Sequence, residues 1–103
     1  MNNFGLPERV LADIISVLRK YPEINCAKIF GSRAKGNFKR YSDIDIAIFA
    51  DKNEQSKLQA NVEHDLDDLD AIYNFDVVHY EELENADIRS HIDRVGIIFY
   101  VNI

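Results

Sequence analysis

The sequence has a single cysteine, Cys26, so it can close no internal disulfide. It has no apolar run near the ~20 residues that a membrane-spanning helix needs, and its first residues lack the pattern of a secretory signal. These absences predict a cytoplasmic protein with no membrane partner. Its three histidines, His64, His79 and His91, share no metal-ligand spacing with Cys26 or with one another, which argues against a zinc site. There are no repeats, linkers or low-complexity segments. A length of 103 residues predicts one domain, residues 1–103, with no further domain to grip a template or a second substrate. Basic residues are outnumbered, 12 against 18 acidic, and the net charge of −6 argues against general nucleic-acid binding.

What basic charge exists is concentrated. Between Asn25 and Ser42 stand Lys28, Arg33, Lys35, Lys39 and Arg40, with no acidic residue among them. A local positive patch on an acidic chain suits a bound polyphosphate better than a long nucleic acid. Within the patch lies the loop Gly31-Ser32-Arg33-Ala34-Lys35-Gly36. Glycine lets a ligand approach the backbone closely, and Ser32 can offer both its hydroxyl and its N–H to a phosphate. A short helical turn over Arg33–Gly36 would aim its N-terminus at the same anion.

After Ser32 and ten intervening residues comes Asp43-Ile44-Asp45-Ile46-Ala47-Ile48-Phe49. Read as a strand, it sends Asp43 and Asp45 to one face and the three isoleucines to the other. The two carboxylates would then sit roughly 6–7 Å apart at Cα. Like charges side by side call for a counter-charge. A hard divalent cation with oxygen ligands, completed by water and substrate phosphate, is the natural one.

The remaining pattern supplies scaffold. Met1 to Leu6 is expected to be a frayed leader. Pro7 to Tyr21 carries Val10, Leu11, Ile14, Ile15, Leu18 and Tyr21 at helical spacing, and Pro22 ends it. Asn25 to Phe30 is a strand in which Cys26 is expected to be a small buried residue. Asp51 or Asn53 can cap a helix reaching about Tyr73, with Asp51 and Glu54 in the positions of a capping box. Its acidic residues (Glu63, Asp65, Asp67, Asp68, Asp70) predict a solvated face or, alternatively, a docking surface for a basic partner. A third strand covers Asn74 to Tyr80. Asp76 stands out there, because a carboxylate in an apolar strand is expensive unless paired or bound to metal. Glu81 and Glu82 are rivals to it but fall after the strand, where a helix from Glu82 to Arg94 is expected to begin. Ile97 to Val101 is a final strand apolar on both faces, either central or an edge covered by another chain.

The apolar strand, Gly31-Ser32, the ten-residue gap and Asp43-x-Asp45 together resemble the nucleotidyltransferase superfamily that includes DNA polymerase β. The short length and the Gly-Ser-Arg-x-x-Gly form resemble its minimal nucleotidyltransferases, the antitoxins of pairs whose toxin is a helical HEPN protein. The resemblance implies an α/β (α+β) fold with a mixed sheet of about four strands flanked by helices. It implies Mg²⁺, as two ions, with Asp43, Asp45 and Asp76 as metal ligands and catalytic residues, Asp76 matching the family's third carboxylate. It implies ATP as donor, its phosphates held by Gly31, Ser32, Arg33 and Lys35. The reaction implied is transfer of AMP to a hydroxyl, a tyrosine, of a HEPN ribonuclease. Two alternatives stay open: an antitoxin that neutralises by binding alone, and a small-molecule nucleotidyltransferase. The chain could work as a homodimer or in a hetero-oligomer, with no direct nucleic-acid contact.

Overall fold

The computed structural model describes residues 2–53, 57–69 and 72–103. In chain order the elements are α1 (Glu8–Leu18), β1 (Cys26–Phe30), α2 (Gly31–Lys35), β2 (Ile44–Phe49), α3 (Leu58–Asp67), β3 (Phe75–His79), α4 (Ala86–Val95) and β4 (Ile97–Val101). A 3-10 turn, Tyr80–Glu82, precedes α4. The strands form one mixed sheet in the order β3-β2-β1-β4. β1 is antiparallel to both β2 and β4, and β2 is parallel to β3.

Strand alternation divides the side chains cleanly. Ala27, Ile29, Ile44, Ile46, Ile48, Phe75 and Val77 point to one face, where Val10, Ile14 and Leu18 of α1 and Leu58, Val62 and Leu66 of α3 close the main core. The helical stripe of α1 and the isoleucine row of β2 are thus the two halves of one apolar layer. Phe30, Ala47 and Ile92 build a smaller cluster on the opposite face, under α4. Asp45 and Asp76 alternate onto that second face, which α4 covers only in part.

Several expectations change. The N-terminal leader is anchored: Phe4 and Leu6 are buried, and the Asn2 side chain bonds the backbone of Phe4 and Leu6. The third helix begins at Leu58 and ends at Asp67, short of Tyr73. No side chain caps its start, and Glu54 of the expected capping box lies outside the described residues. Its end carries Asp65, Asp67 and Asp68, negative charge at the negative pole of a helix, which weakens further turns. Two of its acids are structural. Asp65 accepts a hydrogen bond from the Tyr21 hydroxyl, tying α3 to the turn that follows α1, and Glu63 accepts from the outward N–H of Val77 on edge strand β3, at 3.3 Å. The last helix starts at Ala86, later than expected, because Asn85 caps it by accepting from the N–H groups of Asp87 and Ile88. β4 is an edge strand whose Ile97, Ile98 and Val101 are exposed while Tyr100 packs into the core. Cys26 is half-buried, and burial pushes its thiol pKa up.

Candidate active site

The carboxylates meet through strand register. Asp45 pairs with Asp76 across the parallel β2–β3 ladder and with Phe30 across the antiparallel β1–β2 ladder. Neighbouring strands lie about 4.8 Å apart, so the two carboxylates share one patch of the α4 face. Asp43, two residues earlier and exposed, stands just outside β2 at the same end. Asp45 responds to this crowding. Burial first, then the charges of Asp76 and Asp43, raise its pKa from 3.8 to about 6, with Arg33 opposing.

The Gly-Ser loop arrives beside them because β1 ends at Phe30 and α2 starts immediately. Gly31 has φ +71°, and a Cβ there would collide with Oδ2 of Asp45. Glycine is therefore required twice, for the backbone angle and for the space. No side chain caps the start of α2, which follows directly on β1 beside Asp45. The Gly31 N–H itself donates to Nε2 of His91 on α4, at 3.2 Å. Ser32 is half-buried in the same turn, and Lys35 is exposed at its end. Gly36, φ +86°, closes α2 in the left-handed conformation, with its N–H donating to the Ser32 carbonyl at 2.9 Å.

Arg33 corrects an expectation. Its guanidinium is not turned to a phosphate: the side chain is 1% exposed. Nε and Nη2 donate to the Ser42 carbonyl at 3.1 and 2.9 Å, Nη2 also to Arg40 at 3.2 Å, and Nη1 to Phe4 at 2.8 Å. The rings of Phe38 and Tyr73 lie 5.2 and 5.1 Å from its Cζ. A buried cation persists only when it is satisfied in this way. Arg33 binds the leader, the loop before Asp43 and α2 into one unit, and Ser42, which it grips twice, is the residue next to Asp43.

The rivals of Asp76 are committed elsewhere. Glu81 accepts from the Ala50 N–H at 3.1 Å, and Glu82 bonds the buried His79, whose Nε2 donates to the Ala50 carbonyl at 2.8 Å. These bonds close the far end of the β2–β3 pair. Sequence reasoning missed His91, weighed there only as a zinc ligand. Asn85, Ile88 and His91 recur three apart on α4, a spacing that signals one shared face.

Residues 12–102 match the polymerase β nucleotidyltransferase family. The chain belongs to that family. The mixed four-strand sheet flanked by helices agrees with the family's fold. Comparison with curated proteins returns no match. Among solved structures, the fold is similar to that of a toxin–antitoxin complex containing AMP-PNP (TM-score 0.72, 24% identity, covering 89% of this chain and 73% of that one). It is also similar to the toxin–antitoxin MntA-HepT (TM-score 0.67, 20% identity, 93% and 74% covered). A third similar structure is a putative nucleotidyltransferase of Sulfolobus solfataricus (TM-score 0.54, 25% identity, 89% and 78% covered).

The donor set can be tested against the Mg²⁺ that the family implies. Among the described residues, no three His, Cys, Asp or Glu side chains converge into a ready-made metal cage. The Asp45–Asp76 pair with Asp43 beside it fits Mg²⁺ all the same. That ion takes one or two carboxylates and completes its octahedron with water and substrate phosphate.

Proposed function

We propose that this nucleotidyltransferase transfers AMP from ATP to a hydroxyl of a helical HEPN-type toxin partner in the cytoplasm, a tyrosine by the family resemblance, and so acts as its antitoxin. The observation that carries the chemistry is the Asp45–Asp76 register pair, set against a glycine turn that a single methyl group would block. The partner is supported by the similar structures, which are toxin–antitoxin complexes, one of them holding AMP-PNP.

Asp43, Asp45 and Asp76 would hold Mg²⁺, which supplies the positive charge that makes a hydroxyl nucleophilic and neutralises the departing pyrophosphate. The first-turn N–H groups of α2, the Ser32 hydroxyl and Lys35 bind the β- and γ-phosphates. The hydroxyl oxygen forms a bond to the α-phosphorus as the bond to the β-bridging oxygen breaks. Pyrophosphate leaves with that electron pair, and the hydroxyl proton passes to the Asp76 carboxylate. Arg33 serves the site from below by fixing Ser42.

The test uses ATP labelled at the α-phosphate, Mg²⁺, this protein and the helical protein that co-purifies with it, resolved on a denaturing gel. Label is expected on the partner and is lost with Asp43→Asn/Asp45→Asn. Wild-type labelling by the double variant would overturn the site assignment. A tight, silencing complex with no label would replace transfer by neutralisation through binding alone.

A further inference from the structure

A cavity of about 250 Å³ opens between the sheet and α4. It adjoins the Gly31 turn, because Phe30 precedes Gly31 and His91 Nε2 receives the Gly31 N–H, and both residues line it. Asp76 lines it as well, so it also borders the carboxylate patch. At the start of α4, Asn85 and Asp87 complete the lining. Asn85 and His91 are six positions apart, about 9 Å along the helix axis at ~1.5 Å per residue. Val78 on β3 and Ile88 on α4 supply apolar walls. The polar groups at the start of α4 form a donor beside an acceptor. Asn85 Oδ1 is spent on the N–H groups of Asp87 and Ile88, at 2.9 and 3.1 Å, which holds the amide close to Asp87. Among the described residues, neither Asn85 Nδ2 nor the Asp87 carboxylate has a hydrogen-bond or ion-pair partner.

We propose that this cavity seats the base of the donor nucleotide and reads it as adenine, with the Asp87 carboxylate accepting from the amine at position 6 and Asn85 Nδ2 donating to N1. The inference rests on the transfer reading above, which takes ATP as the donor. With the phosphates at the Gly31 turn and the α-phosphorus at the carboxylate patch, the nucleoside must run along a surface that touches both. This cavity does. The ~9 Å from His91 to Asn85 is on the scale of a ribose with its base attached. Val78 and Ile88 offer apolar contact to a flat heterocycle, and the selective polar groups stand together at one end, the usual division of labour in a small-molecule site. An acceptor hydroxyl has only to reach Asp76 and has no use for a donor–acceptor pair at the far end of the helix. A purine with a carbonyl at position 6 reverses both groups. Its oxygen would face the Asp87 carboxylate and its N1–H would face Asn85 Nδ2, so neither bond forms.

The test exchanges the two residues, Asn85→Asp with Asp87→Asn. The exchange keeps the net charge, and it keeps the cap of α4, because Asp caps a helix as well as Asn does. Binding of Mg-ATP and of Mg-ITP, whose base has the carbonyl at position 6 and the N–H at N1, is measured by calorimetry without any partner protein. Wild type is expected to bind ATP about tenfold or more tighter than ITP. The exchanged protein is expected to reverse that order. Asp87→Asn alone, which serves if the exchanged chain fails to fold, is expected to bring the two nucleotides within about threefold of each other. Absence of ATP binding to wild type, equal binding of the two nucleotides, tighter binding of ITP, or an unchanged ratio in the exchanged protein would overturn the proposal. Labelling of the helical partner from α-labelled ATP and ITP is read beside the binding. Selective binding of ATP without labelling defeats the transfer reading and leaves the base site standing. Labelling from ATP and ITP alike keeps transfer and overturns the base site.

Discussion

Gly31 and Asp45 occupy adjoining space, the Cα of one against the carboxylate of the other, so that no side chain can be added to the first without moving the second. Gly31→Ala meets both a left-handed backbone angle and this collision. It is expected to lower unfolding free energy by roughly 1–3 kcal/mol and to reduce transfer by about a hundredfold or more. Gly36→Ala is the matched control, because its φ of +86° is equally unfavourable but nothing lies within 4 Å of the added methyl. It should lose about 1 kcal/mol and keep most of the activity. Urea titration and the labelling assay distinguish the two.

Asp45 carries a stability debt with a definite sign. Its folded-state pKa, about 6, lies above the ordinary aspartate value of 3.8, so the fold favours the protonated form. The stability this contributes is fully present below pH ~4 and is lost as pH rises through about 6. Removing the charge should therefore help folding at neutral pH while ending catalysis. Asp45→Asn is expected to raise stability by about 1–2 kcal/mol at pH 7.5, after allowance for solvent screening of a half-exposed group, and by nearly nothing at pH 4. Equal urea midpoints for the two proteins at both pH values would refute this. Mg²⁺ should raise the melting temperature of wild type at pH 7.5 and leave the variant unmoved.

Arg33 and Lys35 are two residues apart and are expected to fail differently. Arg33→Lys keeps the charge but cannot span the carbonyls of Phe4, Arg40 and Ser42. It should cost about 2–4 kcal/mol of stability and depress transfer by letting Ser42 and Asp43 drift. Lys35→Ala should change stability by less than about 0.5 kcal/mol and raise the KM for ATP several-fold. Steady-state kinetics beside thermal melts would show whether the two effects separate.

The leader provides a fourth test. Leu6 is fully buried and lies two residues from the carbonyl that Arg33 Nη1 holds. Leu6→Ala should lose about 2–4 kcal/mol. A loss below about 0.5 kcal/mol would return residues 2–6 to the status of a loose end.

Most of the scaffold was legible because its signals are local. The Ile44-Ile46-Ile48 alternation and the α1 stripe mark their elements by period alone, and Gly31-Ser32 with Asp43-x-Asp45 mark the family by spacing. What was hidden is non-local. Nothing near Asp76 in sequence says that it pairs with Asp45, since parallel register is set by packing across α3. Arg33 in a basic loop reads as a surface ligand, and only the arrival of Phe4, Phe38 and Tyr73 around it makes it interior. The gap between α4 and the sheet is lined by Phe30, Val78 and Ile88, which are far apart in sequence and meet only through packing.

The parallel pairing also predicts an order of events in folding. β1 and β2 can zip as neighbours along the chain, which brings Gly31 to Asp45 early. β3 joins through the α3 crossover, a longer loop closure, and borders no strand but β2. On loop-closure length Asp76 is expected to be the last of the three acids delivered in folding and the first to leave if the sheet edge opens. A chain caught before that step would hold half a site, and hydrogen exchange at Val77 and Val78 would report when the other half arrives.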